Sequence, residues 1–210
     1  MPEPLLLVDT DIFIILSAAG LLENVISLLA FDFAHTRRLP ALEHQLRAGA
    51  SFKRKYPDTI REAALRLAQR ISGLGEKPHD PTLRQKLIAC DGIDDGEALL
   101  FALLAEQKNW ILATGDKRAI TALATTPALQ DICDLIRGRI VCLETIVPAL
   151  LNIKGMKSVA SAFAPLREHA TLRLVFPEGS LTKESVCRKQ IAVYLANLEK
   201  KIGTDFLLKP

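Results

Sequence analysis

Leu5-Leu6-Leu7-Val8-Asp9-Thr10-Asp11-Ile12-Phe13 decides how this chain is read. An apolar run of four residues stops at a carboxylate, and a second carboxylate follows two positions later. The run is too short for a helix and too uniformly apolar for a half-exposed strand. It therefore predicts a central strand buried on both faces, with Asp9 at its carboxyl end. In an open α/β sheet, ligands bind at that edge.

The theme recurs along the chain. Trp110-Ile111-Leu112-Ala113-Thr114-Gly115-Asp116-Lys117 is an apolar strand ending in a small polar residue and a carboxylate, with a helix expected over 118–124. Arg139-Ile140-Val141-Cys142-Leu143-Glu144 reads as a third such strand, leading into a helix over 145–151. Phe31-Asp32-Phe33-Ala34-His35-Thr36 alternates and predicts a short strand of its own. Between these lie apolar or helically spaced segments at 12–19 and 21–30. Pro40 opens a helix that carries Leu42, Glu43 and Leu46 and ends near Gly49. One long helix is expected over 51–71, then a Gly- and Pro-rich loop over 73–81 and a short helix over 82–89. Cys90-Asp91-Gly92-Ile93-Asp94-Asp95-Gly96-Glu97 then hands over to an apolar helix over 98–106. Asp94 or Asp95 serves as its N-cap, and Glu97 lies in its first turn. The fold class expected is α/β, a three-layer α/β/α sandwich around a mostly parallel sheet in residues 1–153. Residues 154–210 form a mostly helical C-terminal extension, with Cys187, Ile191, Tyr194, Leu198 and Ile202 as a helical stripe.

Composition bounds the function. The chain has 210 residues, 49% hydrophobic and 24% charged, an ordinary globular balance. A net charge of +3 is too small to argue nucleic-acid binding by itself. The charge is unevenly spread: the extension carries ten basic against five acidic residues, net +5, which leaves −2 for the remainder. Cys90, Cys133, Cys142 and Cys187 are scattered, with no C-x-x-C pair, so neither zinc nor a disulfide framework is expected, and reduced thiols in a cytoplasm fit best. The Met-Pro-Glu-Pro start lacks the basic region of a signal peptide. No apolar run approaches the ~20 residues of a spanning helix, so no membrane partner is expected.

Asp9, Glu43, Glu97 and Asp116 all fall where strands or strand-proximal loops pass into helices. In a parallel sheet these positions share one edge. Clustered carboxylates raise one another's pKa unless a cation offsets them. Oxygen-only donors select hard cations, Mg²⁺ or Mn²⁺, and an ion so held activates water against a phosphodiester. Thr10 and Thr114 are expected to support the neighbouring acids, Asp11 to cap the following helix, and Lys117 and Arg118 to be solvated surface charges. The four histidines, His35, His44, His79 and His169, are scattered.

The Val-Asp-Thr-Asp opening, the Asp-Asp-Gly-Glu-Ala-Leu-Leu segment and the Ala-Thr-Gly-Asp-Lys segment, in that order, resemble the motifs of PIN-domain proteins over roughly residues 5–145. The resemblance implies an α/β/α sandwich and a Mg²⁺- or Mn²⁺-dependent ribonuclease acting on single-stranded RNA, as in the toxins of toxin–antitoxin pairs. It also implies an antitoxin or other protein partner, or a homodimer. It carries over Asp9, Glu97 and Asp116 as catalytic metal ligands and Glu43, the acid of the early helix, as a fourth catalytic residue that completes the site or positions the attacking water, with Asp95 competing with Glu97. Two other readings stand beside it. Asp9-Thr10-Asp11 and Gly115-Asp116 also resemble haloacid-dehalogenase-type phosphatases, but Phe13 and Ile120 depart from that pattern and Glu43 and Glu97 have no role in it. The other is a PIN-like module that binds nucleic acid or protein without cleaving.

Overall fold

A computed structural model describes residues 3–166 and 168–210. Met1 and Pro2 of the opening tetrapeptide, and Arg167 of the basic extension, lie outside the described residues. In chain order the elements are β1 (Leu6–Val8), α1 (Thr10–Ala18), α2 (Leu22–Leu28), β2 (Thr36–Arg38), α3 (Leu42–Ala48), α4 (Ala50–Lys55), α5 (Asp58–Ala68), α6 (Pro81–Ile88) and α7 (Asp95–Glu106). They continue with β3 (Ile111–Ala113), α8 (Lys117–Thr125), α9 (Gln130–Ile136), β4 (Ile140–Val141), α10 (Leu143–Lys154), α11 (Met156–Phe163), α12 (Ala170–Val175) and α13 (Glu184–Ile202). The fold is α/β and mostly helical.

The strands form one parallel sheet in the order β2-β1-β3-β4. Val8 stands opposite Arg38 on one side and Ala113 on the other, and Ala113 stands opposite Val141. Alternate strand residues enter different hydrophobic clusters. Leu6, Val8 and Val141 join one, with α1, α2 and α10; Leu7, Leu112 and Ile140 join the other, with α7, α8 and α9. Both faces of β1 are thus buried, which is why its sequence is continuously apolar.

The chain departs from β1 to β2 on one side, then crosses to β3 and β4 on the other. The order reverses between β1 and β3. Connections leaving their carboxyl ends diverge there and open a crevice, and Asp9 and Thr114 are its first residues.

Three elements differ from the sequence reading. The alternating run at 31–36 is a turn, and β2 begins only at Thr36. Asp32 Oδ1 accepts from the backbone N–H of His35 at 2.9 Å, and the Thr36 hydroxyl donates to the Asp32 carbonyl at 2.6 Å, so local bonds outcompete the ladder. The long helix at 51–71 is broken into α4 and α5 at Pro57, which holds Tyr56 in an extended conformation. β4 is only two residues long, and Glu144 lies in the first turn of α10, not at a strand end.

The described residues of 154–210 are mostly helical and share both clusters. Phe163, Phe176, Cys187 and Ile191 pack with the β1 residues Leu6 and Val8, while Leu198, Ile202, Phe206 and Leu207 pack with Leu7 and Leu112. Leu207 lies beside Ile140 in a parallel bridge, and the Leu208 N–H donates to the Ile140 carbonyl at 2.8 Å, extending the β4 edge. Among the described residues no single helix is long and apolar enough to cross a membrane.

Candidate acidic cleft at the sheet edge

The crevice beyond β1 and β3 is a cleft of about 370 Å³ whose lining includes Asp9, Asp11, Asp94, Glu97, Asp116 and Arg118. Each acid is placed by a helix start. Asp9 is the N-cap of α1, and its Oδ1 accepts from the Thr10 N–H at 2.6 Å. Its Oδ2 accepts from the Thr114 hydroxyl at 3.1 Å, which ties the ends of β1 and β3 together. Asp94 is the N-cap of α7. Asp94 Oδ1 accepts from the Glu97 N–H and Glu97 Oε2 accepts from the Asp94 N–H, both at 2.8 Å, a reciprocal capping box. Asp116 caps α8, accepting from the N–H groups of Arg118 and Ala119 at 2.7 and 3.0 Å. Gly96 lets this wall close: a Cβ there would stand 3.3 Å from Leu39 and 3.4 Å from the Asp94 carboxylate.

Burial sets the proton affinities. Asp9 is only 8% exposed, and desolvation pushes its carboxyl up to about 6 against the Thr10 and Thr114 hydrogen bonds, with the Asp11 and Asp94 charges adding to the rise. Glu97, 7% exposed, is pushed up to about 8, first by burial and then by the charges of Asp116 and Asp94, although the Asp94 N–H favours its ionised form. Asp116 moves the other way. Burial acts to raise it, but bonds from the Ala119 N–H, the Arg118 guanidinium, Glu97 and the Arg118 N–H together hold it below the ordinary carboxylate range. Burial thus favours the protonated form of Glu97, while the hydrogen bonds to Asp116 favour its ionised form.

The other sequence candidates are placed elsewhere. Glu43 is outside this lining: Arg38, buried on β2, donates through Nη2 to Glu43 Oε1, through Nε to the Ala68 carbonyl and through Nη1 to the Leu39 carbonyl. Asp95 faces Arg84, which meets both its oxygens at 2.6 Å, so of Asp95 and Glu97 only Glu97 turns into the cleft. Asp11 is not the cap of α1; it accepts from the Tyr56 hydroxyl at 2.7 Å and Lys55 Nζ at 2.9 Å. Lys117 is not a solvated charge but bonds Glu144 and Thr171 at 2.8 and 2.9 Å, joining α8, α10 and α12. Arg118 is exposed at the rim and reaches Asp116 at 3.2 Å. Sequence reasoning treated Asp94 as a cap alone and passed over Gln45 and Phe52, which also line the cleft. The Asp-x-x-Glu spacing from Asp94 to Glu97 was the available signal for the first; nothing local marks the other two.

An all-oxygen donor set suits a hard cation, and burial disfavours the charged forms of Asp9 and Glu97. Among the described residues, however, no group of three His, Cys, Asp or Glu side chains is arranged to hold a metal ion. The donor chemistry fits such an ion, and the carboxylates are arranged as helix caps.

Comparison with family models, with curated proteins and with solved structures finds no match to this chain.

Proposed function

We propose that this chain is a divalent-metal-dependent nuclease with a PIN-like α/β/α sandwich, acting in the cytoplasm on single-stranded RNA. One observation carries the reading: Asp9, Asp94, Glu97 and Asp116, from three separate helix starts, line one cleft where the strand order reverses. Helix caps alone do not require acids to converge; burial, and after it the neighbouring carboxylates, raises the proton affinities of Asp9 and Glu97.

In this reading Asp9, Glu97 and Asp116 hold Mg²⁺ or Mn²⁺, with Asp94 fixing Glu97 through the capping box. When bound, the ion would supply Lewis acidity at the phosphoryl oxygen and would lower the pKa of water. Thr114 holds Asp9 by its Oδ2. Arg118, exposed beside the acids, is the cation that meets the incoming phosphate. Water attacks phosphorus, the bond to the 3′-oxygen breaks, and that oxygen leaves with a proton, giving a 5′-phosphate and a 3′-hydroxyl. Glu43 acts through Arg38, whose guanidinium it pairs, and not on the substrate.

Asp116→Asn tests the assignment. Asn retains an oxygen acceptor for the α8 cap, so the fold is expected to survive while Mn²⁺ affinity, read by calorimetry, and cleavage both fall at least 100-fold, on the order of the loss of several kcal/mol of transition-state stabilisation. Unchanged cleavage overturns the site. That no three such side chains close on one point among the described residues favours one rival, a PIN-like binding module; RNA binding in EDTA without cleavage in Mn²⁺ would select it. A phosphatase of the dehalogenase type gives no task to Glu97, and its second acid, Asp11, is engaged by Tyr56 and Lys55.

A further inference from the structure

Beside the acidic cleft lies a larger groove of about 570 Å³ between α8 and α13, and Arg118 lines both. The two cavities therefore share a wall. Their chemistry is opposite. The cleft is walled by carboxylates, whereas the groove presents Lys201 and Arg118 and, among its described lining, a single acid, Asp91. Its remaining surface is of a particular kind. Tyr194 offers a half-buried ring, Ala122 and Leu198 form an apolar floor, and Thr121 and Asn197 supply hydrogen-bonding groups. Lys117, at the junction, is held by Glu144 and Thr171 and fixes α8 against α10 and α12, so one side of the groove is braced.

An aromatic ring lining one groove with apolar side chains, cations and neutral hydrogen-bonding groups has the composition of a single-strand binding surface: phosphates meet the cations and a base stacks on the ring. We propose that the α8–α13 groove binds the stretch of single-stranded nucleic acid adjoining the phosphodiester in the acidic cleft. Tyr194 stacks a base, Lys201 and Arg118 hold flanking phosphates, and Arg118 passes the strand from one cavity to the other. The choice of ligand rests on the nuclease reading. The positive charge of the C-terminal segment thereby has a local task, through a residue of α13.

The test is binding by the full chain in EDTA, where cleavage is suppressed, read as fluorescence anisotropy of a labelled single-stranded RNA 12-mer. Tyr194→Ala is expected to weaken binding on the order of ten-fold, as loss of one stacked base does, whereas Tyr194→Phe retains it. Lys201→Ala should weaken binding and lower the salt slope by about one. Lys189→Ala, which removes a charge from exposed α13 surface outside the groove, should leave affinity as in the wild type. Wild-type affinity in both Tyr194→Ala and Lys201→Ala, equal loss in Lys189→Ala, or no binding of the 12-mer by the wild type would overturn the groove. Groove-dependent binding without metal-dependent cleavage would sink the nuclease reading and leave the groove standing. Cleavage with groove variants unaffected would do the reverse.

Discussion

Burial raises the proton affinities of Asp9 and Glu97 above those of ordinary carboxylates, which couples the stability of the metal-free chain to pH. Their values rise from 3.8 to about 6 and from 4.5 to about 8. Between the ordinary and the raised values the folded chain binds more protons than the unfolded chain. Stability then falls as pH rises, and the loss is complete only above the folded value. In EDTA the midpoint of thermal unfolding should accordingly be higher near pH 5 than near pH 8 on account of these groups. Glu97→Gln, uncharged throughout and still able to accept from the Asp94 N–H, should flatten the upper half of that decline. Mn²⁺ should raise the pH 8 midpoint in the wild type by binding only the folded state. Identical pH profiles for wild type and Glu97→Gln would contradict a raised Glu97.

At the scale of elements, Glu43 shows how far local reading reaches. It does sit in the first turn of α3, as its sequence context predicts, but its direction is decided by Arg38, whose side chain is only 7% exposed and which β2 delivers from the neighbouring edge. Removing Glu43 leaves a buried guanidinium short of its anionic partner, though the Ala68 and Leu39 carbonyls remain. Glu43→Ala should therefore cost about 1–3 kcal/mol of stability, the range for an uncompensated buried polar group, read as a shifted denaturant midpoint. Turnover per folded molecule should change little. A full loss of cleavage at undiminished stability would instead put Glu43 on the substrate.

β1 and β3 were legible because burial on both faces leaves an unbroken apolar run; the acids at 9 and 116 were legible because helix starts follow strand ends, and Glu97 because it lies in the first turn after a capping Asp. β2 was misplaced because aromatic alternation mimicked a strand where Asp32 builds a turn. α9 drew no expectation at all. The fates of Asp11 and Lys117 were not readable, since each is settled by a partner 27 to 54 positions away.

For the whole molecule, the C-terminal segment belongs to the packing of the sheet as much as to its surface. Phe206 is fully buried, its carbonyl accepts from the Gly138 N–H at 2.9 Å, and Leu207 extends the sheet edge beside Ile140. Phe206→Ala should destabilise by about 3–5 kcal/mol, as large-to-small changes of buried aromatic residues do. Deleting 154–210 should abolish cooperative unfolding, because Phe163, Phe176 and Ile191 leave the cluster that covers β1. A soluble 1–153 fragment with a cooperative melt would contradict this. Because the segment braces α8 through Thr171 and lines the groove through α13, it connects the stability of the sheet with the reach of the site.

The most direct measurement for the central claim is cleavage of labelled single-stranded RNA by the purified full chain in Mn²⁺, in Mg²⁺ and in EDTA, beside the Asp9→Asn/Asp116→Asn double variant. A metal-dependent nuclease built on these acids cleaves with either metal, does not cleave in EDTA, and loses cleavage in the double variant. Cleavage that persists in EDTA or in the double variant, or a folded wild type that leaves the RNA intact with both metals, would contradict it.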